Sequence, residues 1–520
     1  MPFKKEEPQI IVIGSGLSSL VCAAYLVSKG LRNIALYATA YGGTPYIAGI
    51  NFMLDNNPYG DSKEQYIEDM KRTGFALADT ILIEKMASYS AETYEFLAWL
   101  GVPFSTLPDG TLKRRLLSGS TYPRTLCSTK GLIGIDLINT LESYLHKNGI
   151  EQHFGYRMIN LDVEDERVVS VGFVDAENKE VHIPSDIVVA GWGGIGTLLG
   201  ASTYPKDVNG KTLGIAYNAH IALADLEFIE YEPMVVMHPP KAAGEPCPTA
   251  MLGEGATLLN KHGERFLLKV RPQGEKGAGK SLLNDAIWEQ VQRGQGSEHG
   301  GCFVDLRMIP KETLQLYPWF YQRLIHSGCD PTKELIEVGP LPHSYSGGVK
   351  VDQNCCSSLA NLYAIGEAAA GFHGACRMAG NAAAQAAISG VIASLAIVEH
   401  AKDRIGEKKT RREEHGYCVD VAMRKEFLEI AEKVKGSLGV YRDGQELQKA
   451  FLLLEDFLAK KTISHDTESK HQAEALLLII SAAIKRTESR GSHKRVDYPT
   501  MDQCQALQYI WKKEKETNGN

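Results

Sequence analysis

Residues 9–38 read QIIVIGSGLSSLVCAAYLVSKGLRNIALYA, and the order of textures in this stretch sets the fold class. Gln9–Ile13 is an apolar run closed by glycine, the pattern of a strand buried on both faces of a parallel sheet. Gly14-Ser15-Gly16-Leu-Ser-Ser19 follows, then an apolar helix over Leu20–Ser28 and a second strand over Asn33–Leu36. Strand, glycine turn, helix and strand within about 30 residues make the βαβ unit of a dinucleotide site. Gly14 and Gly16 let backbone close on a pyrophosphate, and the helix N-terminus offers oriented N–H donors. Two elements of that fingerprint differ: Ser19 stands for the third glycine, and Tyr37-Ala38-Thr39 replaces the acid that would hold a ribose.

Two more glycine clusters lie far down the chain. Residues 187–196, IVVAGWGGIG, predict a buried strand ending in a turn at Ala190 and Gly191. Residues 361–390, NLYAIGEAAAGFHGACRMAGNAAAQAAISG, predict a strand, a loop at Gly366 and Glu367, and a long helix of small residues. Small residues allow close approach of helix to sheet or to a bulky ligand. Three separated strand–glycine units imply one sheet assembled from distant parts of the chain. The segment between them mixes strand and helix with several prolines, as an inserted domain does. Beyond residue 400 the texture becomes densely charged with helical apolar spacing at Phe451, Leu454, Phe457 and Leu458, which reads as a helical domain led in by a charged segment at 401–414.

The 520 residues carry 56 Lys+Arg against 63 Asp+Glu, a net charge of −7, with 44% hydrophobic residues. That apolar mass excludes a disordered chain, and the acidic balance gives no electrostatic reason to expect nucleic acid. The ten cysteines form no C-x-x-C pair, so no iron–sulfur or zinc motif and no metal site is indicated, and they read as reduced thiols. No signal peptide or transmembrane segment is expected, which predicts a cytoplasmic protein.

Six further segments resemble one family. AGWGGIG at 190–196, Asp225-Leu-Glu-Phe228 with Pro233, GEGATLLNKHGERF at 253–266, HSYSGGV at 343–349, HGACR at 373–377 and ESRGSHKRVDYP at 488–499 are similar, in order and separation, to motifs of the flavoprotein subunits of succinate dehydrogenase and fumarate reductase and of L-aspartate oxidase. The resemblance implies an α/β fold: a discontinuous, Rossmann-like FAD-binding domain (1–232 and 343–400), an inserted α+β capping domain (233–342) and a helical C-terminal domain (401–520). It also implies FAD contacts at Gly14, Ser15, Gly16, Ser19, Gly43, Thr44, Ala48, Gly49, Ile50, Asn51, Ala190, Gly191, Gly366, Glu367, Asn381 and Ala382. In some members a histidine is joined covalently to the flavin; Gly42 stands at that position, so FAD is expected to be noncovalent.

The family passes a hydride between flavin N5 and a carbon next to a carboxylate, with an arginine moving the proton. Two site positions are kept here, His343 and Arg377, both expected at a substrate carboxylate or similar polar group. Others depart: Glu232 replaces a substrate histidine, Pro248-Thr249 replaces a threonine–glutamate pair, and Lys280 falls at the proton-shuttling arginine, with Arg271 the other cation in reach. Glu232 facing a second carboxylate would repel it. The expected function is therefore FAD-dependent oxidoreduction of a C–C bond in a small polar substrate other than fumarate or succinate. Two alternatives stand beside it: amino-acid oxidation like that of L-aspartate oxidase, and a flavin electron-transfer subunit whose substrate site has decayed. The resemblance further implies an iron–sulfur or other electron-transfer partner and is compatible with an oligomer.

Overall fold

A computed structural model describes residues 9–129, 131–315, 317–402 and 417–514. The charged segment expected at 401–414 lies, beyond Lys402, outside the described residues. The apolar runs form a parallel sheet. Strand β1 (Ile10–Ile13) lies between β2 (Ile34–Ala38) and β4 (Ile187–Ala190), with β3 (Glu151–Phe154) outside β2 and a fifth strand, Leu362–Ala364, outside β4. Ile10 pairs with Ile34 on one side and Ile187 on the other, and Val188 pairs with Leu362. β1 and β4 are buried at every position, as central strands covered on both faces are; α1 packs against the sheet, and Phe173 of a three-stranded antiparallel sheet (residues 157–184) stacks on Tyr37. The edge strand β3 reads EQHF, polar and half-exposed, which is why no apolar run announces it.

Helix α1 (Leu17–Ser28) starts three residues earlier than the sequence predicts. Gly16 holds the extended cap conformation (φ −76°, ψ 177°) without a side chain to cap with, and Thr44 Oγ1 accepts the Leu17 N–H at 2.8 Å from another loop. Ser18 and Ser19 thus lie in the first helical turn rather than in the glycine turn. Against α1 packs the long helix Asn381–Lys402, so closely that a Cβ at Gly390 would lie 2.8 Å from the Ser18 carbonyl oxygen. The window Asn381–Ala401 has the length and hydropathy of a membrane span, yet 72% of it is buried within the protein.

A second core is built from residues between Met234 and Val338, among them Val236, Leu258, Phe266, Ile287, Val304 and Phe320. Its sheet has the order β5 (Ile229–His238), β8 (Ile336–Tyr345), β7 (Cys302–Asp305), β6 (Thr257–Leu259), flanked by helix α2 (Lys280–Gln292). The antiparallel pair β5–β8 belongs to both bodies. Ile229 opposite Tyr345 packs with the parallel-sheet core, and Val236 opposite Val338 packs with the second one.

Near the C-terminus the helices Val421–Lys435, Gly444–Leu458 and Thr467–Lys485 are each capped by an aspartate (Asp420, Asp443, Asp466). They lead into a buried charge cluster. Arg486 Nε donates to Glu227 at 2.5 Å and its Nη1 to Glu488 at 2.9 Å, while Arg442 donates to the Glu227 carbonyl. Arg442, Arg486, Glu227 and Glu488 are all fully buried. Asp225, two residues before Glu227, accepts from Gln508 and from the Gly371 N–H. Burial first, and then the neighbouring Glu227 charge, push the Asp225 carboxyl up to about 7. An acid with a raised folded pKa stabilises the fold fully below its unfolded value near 3.9, and that contribution is lost as pH rises to 7. Asp225→Asn keeps the acceptor and tolerates the backbone φ of 58° at this residue. Calorimetric melting of both proteins should therefore show the variant gaining on the native chain between pH 5 and pH 7, by roughly 1–3 °C, and holding the gain above pH 7.

Candidate active site

The turns that leave β1, β4 and the strand Leu362–Ala364 meet at one end of the parallel sheet. Gly14 has φ 109°, and a Cβ there would lie 2.3 Å from the Gly191 carbonyl oxygen. A Cβ at Gly191 would strike Ser19 Oγ, and one at Gly366 would strike Ser18 Oγ. Ala190 ends β4 beside them, fully buried. A second group assembles around Asn51, which donates to Asn381 Oδ1 at 2.8 Å; Tyr66 donates to the same oxygen at 3.2 Å. Ile50 and Asn51 form a short strand that Gly49 brings against Thr125, where any Cβ would clash. Gly43 and Thr44 open a 3-10 turn toward Ala48, and Thr44 Oγ1 also lies 3.3 Å from where a Gly16 Cβ would stand.

The Ser15 and Ser19 hydroxyls and Asn381 Nδ2 are buried without a hydrogen-bond partner. Leaving such groups unsatisfied costs about 1–3 kcal/mol each, and native proteins rarely do so. Two hydroxyls at the start of α1 suit a pyrophosphate, and a buried amide donor suits a polar heterocycle, so these residues fit FAD. Ala382 is exposed in the first turn of its helix. Glu367 accepts from the Tyr204 hydroxyl and from the Tyr345 N–H at 2.9 Å, and burial raises its pKa. Gly42 carries no side chain to bond a flavin.

The chemistry-bearing side chains gather on the β5–β8 pair. Glu230 and Glu232, two apart on β5, project from one face, and both are buried. Across from them β8 supplies His343 and Ser344. Lys280, the first residue of α2, donates to Glu232 Oε2 at 2.5 Å. His343 Nε2 lies 3.9 Å from the same oxygen, and its Nδ1 lies 2.9 Å from Thr203 Oγ1. From the loop after His373 comes Arg377. Its backbone N–H donates to Glu230 Oε1, its Nη2 stands 3.2 Å from Glu230 Oε2, and its Nε donates to Ser344 Oγ.

Burial opposes charge on Glu230, Arg377, His343 and His373, and the partners decide the outcome. Glu230 is held below the usual carboxylate range because Arg377 and Lys280 outweigh its desolvation. Arg377 is raised above its ordinary value because Glu230 outweighs the burial. At His343 the compensation is too small: burial, then Lys280 and Arg377, outweigh Glu230 and hold it well below 6.5, so it is neutral at pH 7. Burial and Arg377 bring His373 down to about 4. Of the cations expected here, Lys280 and Arg377 are in place, whereas Arg271 is not. Its guanidinium donates to the Lys276 carbonyl, which braces the glycine loop ahead of α2.

Sequence reading missed Glu230, Thr203 and Asn284. Asn284 lies one turn after Lys280 on α2, donates to the Tyr231 carbonyl and leaves Oδ1 buried without a partner. The signal for Glu230 was available, since E-x-E on a strand puts both carboxylates on one face.

A family model described as FAD binding domain matches residues 9–383, and one described as fumarate reductase flavoprotein C-term matches residues 428–519. The chain is 27% identical over 526 residues to a subunit of the fumarate reductase (CoM/CoB) of Methanothermobacter marburgensis, covering 95% of each. It is 29% identical over 507 residues to an L-aspartate oxidase of Pyrococcus furiosus, covering 94% of this chain and 96% of that one. A quinol–fumarate reductase solved with menaquinol molecules superposes with a TM-score of 0.84 at 22% identity, covering 99% of both chains.

The close pass between Gly14 and Gly191 gives a direct test of the cofactor cradle. Gly14→Ala adds both the clash and a strained backbone, so flavin fluorescence titration should show FAD bound at least about tenfold more weakly.

Proposed function

This chain belongs to the FAD-binding flavoprotein family, as an FAD-dependent oxidoreductase, and on that premise we propose that it oxidises or reduces a C–C bond of a small polar substrate other than fumarate or succinate. Bound FAD supplies the hydride acceptor or donor. The observation that carries the reading is the pairing of Lys280 with Glu232 beside neutral His343 and buried Arg377. A dicarboxylate would need cations at both ends, and here a carboxylate stands at one of them.

In this reading Arg377 and His343 orient one polar group of the substrate by hydrogen bonds. Lys280 holds the mobile proton at Nζ, and Glu232 fixes that ammonium in place. Cys376 takes no part as a thiolate, because burial and then Glu230 push its thiol up to about 12. The cap, taken as residues 233–342, contributes Lys280 and His343's neighbours on β8 and so excludes water when the substrate is bound. FAD is held noncovalently, and the electrons it exchanges pass to or from a partner carrier, as in the multi-subunit reductases that this chain resembles.

The relatives named L-aspartate oxidase support a second reading, oxidation of a C–N bond with a substrate amine near Glu232. Hydrogen peroxide and an imino acid as products would separate it from the first. A flavoprotein with a decayed site is the third; it requires that no small molecule perturb the flavin spectrum.

Three outcomes are expected. Fumarate and succinate should give little or no turnover in anaerobic stopped-flow assays of the flavin, and rapid turnover of either would remove the proposal. Lys280→Ala should slow hydride transfer with the true substrate by roughly 10²–10⁴-fold. Acid precipitation should release all of the flavin into the supernatant, as a noncovalent cofactor requires.

A further inference from the structure

Both cations in the pocket already own a carboxylate. Arg377 meets Glu230 through its backbone N–H and through Nη2 at 3.2 Å, with side chains only 5% and 8% exposed. Lys280 meets Glu232 at 2.5 Å. The remaining polar groups add no cation. His343 and His373 are held neutral, and the Cys376 thiol is protonated. Glu367 is turned toward the Tyr204 hydroxyl and the Tyr345 N–H. The two ion pairs, Glu230–Arg377 and Glu232–Lys280, sit side by side on one strand face, so the pocket presents no cation without its own carboxylate.

We propose, resting on the reading of this site as a C–C oxidoreductase, that its substrate is an uncharged α,β-unsaturated carbonyl compound, or its saturated counterpart, held by its carbonyl oxygen. A carboxylate at Arg377 would meet a cation already matched by Glu230, and so would add a second buried anion without a counter-charge of its own. An amine would have to take Glu232 from Lys280 at the same cost. A neutral carbonyl asks for N–H donors alone. Arg377 has guanidinium N–H groups left after Ser344, Met378 and Glu230, and His343 faces the same space.

The reaction balances on these groups. In the reducing direction the β-carbon would take a hydride, two electrons and one proton, which FAD would supply once reduced by a partner electron-carrier protein. The C=C π pair then takes a proton at the α-carbon from Lys280 Nζ, and two C–H bonds replace the π bond. Lys280 regains its proton from solvent while Glu232 holds it in position. Dehydrogenation runs the same steps backward, with an electron acceptor in place of the donor.

The test uses FAD-loaded enzyme and flavin difference spectra with isosteric probes: crotonate against crotonamide, and fumarate against fumaramide. The amides should perturb the flavin at concentrations at least tenfold lower than the acids. Glu230→Gln keeps an acceptor for the Arg377 N–H but removes the charge, so crotonate should bind at least tenfold more tightly while crotonamide changes little. Glu232→Gln, which frees Lys280, provides the same comparison should the first variant fail to retain FAD. Tighter binding of acids than amides by the native enzyme overturns the inference, and so does the absence of any gain for crotonate in both variants. Single-turnover mixing of the reduced enzyme with crotonamide tests the reaction separately. Binding without reoxidation of the flavin would sink the C–C oxidoreductase reading and leave the neutral pocket standing.

Discussion

The contact between Glu227 and Arg486 joins parts of the chain 259 residues apart, both fully buried. Arg442 adds a hydrogen bond to the Glu227 carbonyl, and Arg490 reaches from Glu488 to the Phe75 carbonyl. Replacing such ions by apolar groups of the same shape is often neutral, but removing one partner costs about 3–5 kcal/mol. The cluster therefore acts less as a source of stability than as a fixed point. Glu227 lies two residues before β5, so the C-terminal segment sets where that strand begins and, with it, where Glu230 and Glu232 stand.

That arrangement explains what was legible in the sequence. The strand–glycine–helix order at 9–38 was readable because each part depends on neighbours a few residues away. The start of α1 was not, because its cap comes from Thr44, 27 residues distant. β3 escaped notice because a half-exposed edge strand has no apolar run to announce it. In the pocket, Lys280 could be located by counting from a motif, but only the fold shows Arg271 turned to the Lys276 carbonyl. Glu230 was hidden by attention to Glu232 alone; its importance lies in Arg377, 147 residues away, and no local pattern joins the two.

The β5–β8 pair gives the site its dual character. Its lower half packs with the parallel sheet that holds the cofactor cradle, and its upper half with the separate core containing α2. The groups that would meet the substrate thus come from both bodies: Arg377 from the sheet side, Lys280 from the other, and the two glutamates from the strand between. Proton transfer and substrate orientation depend on the register of one strand pair, whose irregularities fall beside Glu230 and Glu232.

The spacing of those two glutamates also bears on how such a protein diversifies. A Cβ at Gly14, Gly49, Gly191 or Gly366 would clash with atoms already in place, whereas positions 230 and 232 are side chains on a strand whose backbone is fixed from elsewhere. Ligand preference can therefore drift through one or two codons without disturbing cofactor loading. A common scaffold could in this way spread across chemically unlike metabolites while its flavin machinery stays under strict selection.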